Sequence, residues 1–116
     1  MYVDGFLLAV KTDRIDEYEK IARDAAAIWR EYGALSVVEA VADDVPYGEV
    51  TSFPRAVHAA DDETVFFSWI TYESRESRDE VNKMVMADER MQGDMSEMPF
   101  DGQRMMFGGF RPVVEE

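Results

Sequence analysis

The chain has 116 residues, with 25 Asp plus Glu against 12 Lys plus Arg, one His and no Cys, for a formal net charge of −13. With 47 % hydrophobic and 12 % aromatic residues, it can fill the core of one compact domain over 1–116, ending in an acidic tail at 111–116. The missing cysteines exclude disulfide scaffolds, thiolate-ligated metals and thiol nucleophiles, and the acidic balance excludes nucleic acid and anionic membrane as partners.

Residues 2–10 read as a first strand, apolar on both faces. From Asp13, a suitable N-cap, apolar residues recur at Ile15, Tyr18, Ile21, Ala22, Ala25, Ile28, Trp29 and Tyr32, the 3.6-residue period of an amphipathic helix that Gly33 closes. Asp16 with Lys20 and Glu19 with Arg23 are spaced to pair on its outer face. Residues 34–41 read as a second strand with Leu35, Val37 and Val41 on one face, and Glu39 is the one charge on that side. Residues 42–54 hold two Pro and one Gly and have no clean period, the mark of a loop that builds or covers a site.

Arg55–Ala59 alternates weakly and, across the polar turn 60–63, is expected to form a hairpin with 64–73, the strongest strand in the chain. That strand sends Val65, Phe67, Trp69 and Thr71 to one face and Phe66, Ser68, Ile70 and Tyr72 to the other. Ser74 caps a second helix carrying Val81, Met84 and Val85 on one stripe, with Asp79 spaced to pair with Lys83. A polar segment, 93–102, leads to a last strand over 103–110. No apolar run approaches the roughly 18 residues that span a bilayer, and the first residues lack a basic leader, so a soluble cytoplasmic protein is expected.

The order βαβ, excursion, βαβ is that of a ferredoxin-like α+β fold, a split βαβ antiparallel sheet with two helices on one face. The helices leave a second apolar face around Phe67 and Trp69. A second copy packed on that face gives a homodimeric α/β barrel with an isologous interface. Size scaling assigns a monomer of this mass about 6,500 Å² of surface.

Several segments resemble the bacterial YbaA-like family, domain of unknown function family 1428: Tyr2-Val3-Asp4-Gly5-Phe6, Trp29 to Leu35, Asp43-Asp44-Val45-Pro46-Tyr47-Gly48, Thr51-Ser52-Phe53, Phe67-Ser68-Trp69-Ile70, Met98-Pro99-Phe100-Asp101-Gly102 and Arg104 to Phe110. The resemblance covers nearly the whole chain and implies the dimeric α/β-barrel fold; the family has no established reaction. Glu49 and Glu89 stand where the family commonly has Lys and Pro, in keeping with an acidified surface. Three lysines against nine arginines, and acids clustered at 43–44, 61–63 and 115–116, fit adaptation to high salt, where repulsion is screened. Thermal stability is then expected to rise well into molar KCl; a melting temperature flat between about 0.1 and 2 M would count against this adaptation.

Candidate chemistry gathers beside the long loop. Glu39 or Asp44 could serve as a general base if burial raised its pKa, and Arg55 or Arg104 could pair with an anionic group of an apolar substrate. Thr51, Ser52, Phe53, Trp69 and Asp101 are the candidate ligand-binding residues. The competing reading makes Asp101-Gly102 a turn that Arg104 pairs with, and gives Thr51 and Ser52 to loop backbone. His58 would have to serve any triad, metal or haem, and its place on the weak 55–59 strand suggests an edge or surface position. Carboxylates at Glu39, Asp43 and Asp44 lack calcium-loop spacing, the methionines fit irregular packing, and no metal or cofactor is expected. Two functions follow: a small-molecule homodimer performing a cofactor-independent oxygenase, isomerase or lyase step, or a non-catalytic, stress-associated or structural binding module.

Overall fold

The computed structural model describes residues 1–116. Four strands, β1 (Tyr2–Lys11), β2 (Ser36–Val41), β3 (Glu63–Tyr72) and β4 (Met106–Phe110), form one sheet in the order β2-β3-β1-β4. All three neighbouring pairs are antiparallel, and β1 and β3 pair along their whole length. Helices α1 (Ile15–Glu31) and α3 (Arg75–Ala87) cover one face, giving the ferredoxin-like α+β architecture expected from the order of elements. Under the helices, α1 sets Tyr18 and Ala22 on Leu8, Val10 and Phe66, and α3 sets Val81 and Val85 on Ile70 and Tyr72.

Local chemistry explains the boundaries. Ser74 caps α3 by accepting from the Ser77 amide at 3.1 Å. At the end of α1, Gly33 adopts φ +119°, its amide donates to the Arg30 carbonyl and the Ala34 amide donates to that of Trp29. That Schellman closure turns the chain directly into β2.

Some expected details differ. The chain enters α1 through a 3-10 turn at Thr12–Arg14, so Asp13 lies in that turn and caps nothing. Lys20 reaches Asp24 rather than Asp16, and Asp79 is held by Arg78 at 2.7 Å rather than by Lys83, while Glu19 and Arg23 pair at 2.9 Å. Residues 55–59 are no strand. Ser52 accepts from the Arg55 amide and Pro54 sits in the first turn of a one-turn helix, α2 (Phe53–Ala56). His58 follows at φ +51°, outside strand geometry. The hairpin partner of β3 is therefore β2, and residues 42–62 are their connection. The last strand starts at Met106 because Asp101 caps a 3-10 turn over Gly102–Arg104.

The sheet face away from the helices is only partly covered. The connection seals one end of it, where Val57 is fully buried against Leu7, Ala9 and Val65. Beyond that patch Phe67, Met106 and Phe110 remain 46 %, 49 % and 64 % exposed. The molecule is a slab of 38 × 37 × 21 Å with 8008 Å² of accessible surface, some 1,500 Å² more than size scaling gives a compact monomer.

Candidate functional site

The polar residues beside the long loop do not converge. Arg55 folds back on its own loop, donating to the Tyr47 carbonyl at 3.0 Å and the Gly48 carbonyl at 3.1 Å with its guanidinium stacked 4.0 Å from the Tyr47 ring centroid. Ser52 is spent as the α2 cap, and Asp44 and Thr51 are exposed. Phe53 stacks edge-on against Phe67, and Phe67 against Trp69, on the open sheet face. A small hollow of about 130 Å³ lies there, between Ala40, Val45, Phe53, Val65 and Phe67.

Arg104 is also committed. It donates to both carboxylate oxygens of Glu63 at 2.8 and 2.6 Å, to Asp101 at 3.1 Å and to the His58 carbonyl at 2.8 Å. This fork joins the end of the long connection to the turn before β4. The Glu63 side chain is only 1 % exposed. Arg104 hydrogen bonding, helped by the Ala60 amide and Lys11, holds its pKa down at about 2 against an ordinary 4.5. A depressed carboxylate pKa stabilises the fold fully above the ordinary value and loses that contribution as pH falls toward the folded one. Discounted for the solvent around Arg104, the loss is about 2 kcal/mol. Acid unfolding should show it between pH 4.5 and 2, and Glu63→Gln should flatten the curve there. An unchanged slope in that variant would assign the acid sensitivity elsewhere.

Glu39 sits on the other side of the sheet. In register with Ser68 of β3, it projects from edge strand β2 toward α1, where the Tyr18 hydroxyl donates to its Oε1 at 2.9 Å. The two line an open cleft of about 400 Å³ between α1 and β2, walled by Ile15, Ala22, Ala26, Val37, Val41 and Phe66, with Glu19 and Arg23 also on the lining. Neither Arg55 nor Arg104 lines this cleft. Tyr18 is held edge-on by Phe66 at 4.8 Å and Phe100 at 5.7 Å. Phe100 is anchored by its bridge to Val10, and Arg14 fastens the adjoining turn through the Glu97 and Met98 carbonyls.

Glu39 is exposed to solvent on the open side of the cleft, while the apolar groups on its inner side partly desolvate the carboxylate and raise its pKa, against the Tyr18 hydrogen bond. Burial and the neighbouring carboxylate raise the Tyr18 pKa as well, so the phenol stays a neutral donor. Oε1 is occupied by Tyr18, and Oε2 makes no hydrogen bond within the chain. The arrangement can accept a hydrogen bond or a proton from a molecule lying along the apolar wall. Tyr18 reads in the sequence as core. The signal of a further role was a phenol on the apolar stripe of a helix facing a strand with one lone carboxylate on the same side.

The family model for a protein of unknown function (DUF1428) matches residues 1–102. The chain is 50 % identical over 115 residues to uncharacterised protein YbaA of Escherichia coli strain K12, covering 99 % of this chain and 98 % of that one, and equally to YbaA of Shigella flexneri. Among solved structures it is similar to a dimeric ferredoxin-like protein from an uncultured marine organism, with a TM-score of 0.65 and 8 % identity over 100 % of this chain and 98 % of the other. An uncharacterised NIPSNAP domain protein from Burkholderia xenovorans gives 0.60 and 15 %, over 98 % and 96 %. At these identities the structural likeness speaks for the fold. The sequence matches place the chain in the DUF1428 family, as a relative of YbaA across almost its whole length.

Proposed function

We propose that the protein is a cytoplasmic homodimer whose protomers each bind a small organic molecule in the cleft between α1 and β2. The observation that carries the reading is the Tyr18–Glu39 pair, a carboxylate with one free oxygen set on an apolar wall of a cleft of about 400 Å³, a size ordinary for small-molecule sites. Glu39 is the acceptor and, in a reaction, the base; Tyr18 orients it. A cofactor-independent oxidation, an isomerisation and a lyase step can each begin by moving a proton from carbon to such a base.

The homodimer is supported by the surplus surface and by the aromatic face of Phe67, Trp69 and Phe110. The marine neighbour is itself described as dimeric. In the dimer Phe53 and Trp69 act as interface residues, while Thr51, Ser52, Asp44, Arg55, Asp101 and Arg104 shape and tie the loops that border it. The net charge of −13 on each chain argues against nucleic acid, and no helix is long and apolar enough to cross a membrane. The acidic surface is an adaptation to salt, which lets two like-charged protomers associate.

Native mass spectrometry of gently purified protein should show a species at twice the 13.3 kDa chain mass carrying small adducts. The variant Ala26→Trp, at a half-buried position on the α1 wall of the cleft, should keep the dimer and lose the adducts. Adducts that survive this substitution, or a monomer in the wild type, would contradict the reading.

A further inference from the structure

The cleft carries an unbalanced charge. The carboxylates drawn into the protein each meet a guanidinium, whereas the exposed Glu39 meets none: Asp4 is met by Arg78 at 3.0 Å, Glu63 by Arg104 at 2.6 Å and Asp88 by Arg90 at 2.8 Å. The side chains of Asp4, Glu63 and Asp88 are 8 %, 1 % and 10 % exposed. Glu39 lies against Val37, Val41 and Phe66 with a neutral phenol as its sole side-chain partner. The one cation on the cleft lining, Arg23, is engaged by Glu19 at 2.9 Å. Glu39 is exposed at the open edge of the cleft, but with apolar groups on its inner side and no counter-ion it gains from a charged donor brought from outside.

Resting on the proposed small-molecule role, we infer that the cleft takes an organic cation, an ammonium group on an apolar body, with its N–H donated to Glu39 and its hydrocarbon laid on Ile15, Ala22, Val37 and Phe66. An anionic ligand meets Glu39, Glu19 and a chain of charge −13. A neutral alcohol satisfies Oε2 but leaves the charge uncompensated. The ammonium does both, and the field of an acidic protein speeds its arrival. The cleft supplies the shape for such a ligand: an apolar wall along α1 and β3 and one acceptor on β2 at the open edge.

Benzylammonium and its near-isosteric neutral partner benzyl alcohol separate charge from shape. Each is titrated at pH 7 into the ¹⁵N-labelled full chain, in the wild type and in Glu39→Gln, and followed by amide chemical shifts. Glu39 lies on an edge strand open to solvent, so the amide variant should fold, and its unperturbed spectrum checks that. Benzylammonium should shift the amides of Tyr18, Ala22 and Val37 and bind about 5-fold more tightly than the alcohol, the size expected for an ion pair with an exposed carboxylate. Glu39→Gln should bring the two within about 2-fold. Equal affinities in the wild type, with shifts in the cleft, overturn the cation while leaving the small-molecule cleft standing. A preference unchanged in Glu39→Gln also overturns it, because the overall field rather than this carboxylate then selects the cation. Shifts confined to other acidic surfaces, or no shift from either molecule as when a second copy fills the cleft, overturn both readings.

Discussion

Replacing Arg78 with Met should cost about 3–5 kcal/mol of stability, because it strands a buried carboxylate. Asp4 projects from β1 under α3 with its side chain 8 % exposed, and the Arg78 Nε donates to both of its oxygens, at 3.0 and 3.2 Å. The guanidinium also reaches Asp79 at 2.7 Å and lies 5.0 Å from the Tyr2 ring centroid. Gly109 of β4 makes room for this packing, since a Cβ there would run into the Arg78 guanidinium and the Tyr2 hydroxyl. One cluster thus joins β1, β4 and α3. For a chain of this length the loss corresponds to a fall in melting temperature of roughly 10–25 °C. The double variant Asp4→Val with Arg78→Met removes the charge with its partner and should recover most of the loss, to within about 2 kcal/mol of the wild type. A single-variant loss below about 1 kcal/mol, measured by urea unfolding, would show that solvent already screens the pair.

The second large effect is expected at Trp69. It lies in the middle of β3 on the open face, in register with Gly5 of β1 and Val38 of β2, and its ring meets Phe67 edge-on at 5.6 Å. In an isologous interface each substitution is felt twice. Trp69→Glu places two like charges into that interface and removes two aromatic anchors, so dimer affinity should fall by at least about 100-fold. Sedimentation equilibrium at micromolar concentration should give twice the 13.3 kDa chain mass for the wild type and a single chain mass for the variant. The variant should keep its helical circular dichroism, because this side chain does not face the helices. Twice the chain mass in both would move the interface elsewhere, and a single chain mass in the wild type would contradict the dimer.

Most of the architecture is legible in the sequence, for local reasons. The alternation through 64–73 assigns Phe66, Ile70 and Tyr72 to one face and Phe67 and Trp69 to the other, and the structure divides them so, with the first set under the helices. Gly33 and Ser74 mark helix ends through interactions within a few residues. Failures occur where a short segment answers to distant partners. Residues 55–59 alternate like a strand, but the Ser52 cap and Pro54 start a helical turn before pairing can form. Gln103 and Arg104 extend an apolar run, yet Glu63, 41 residues away, draws Arg104 out of the strand.

The candidate site divides in the same way. Glu39 is visible as the lone charge on the helix side of its strand, and the structure places it in a cleft. Arg55 and Arg104 look free in the sequence because their acceptors are backbone carbonyls of a folded loop and carboxylates brought up by the fold. Tyr18 cannot be told from a core residue until β2 is laid beside α1 and its hydroxyl meets Glu39.

In the proposed function the two sheet faces divide the labour, one closed by a second copy and the other keeping a cleft open to a ligand. Methyl relaxation by a neutral gadolinium chelate in the ligand-free protein tests both halves at once. Val37 and Ile15 line the cleft, whereas Val38 and Met106 lie on the open face, Met106 being 49 % exposed in the single chain. The Val37 and Ile15 methyls should relax strongly and those of Val38 and Met106 weakly. Relaxation of Met106 as strong as that of an exposed helix methyl such as Met86, together with shielded Val37 and Ile15, would contradict it.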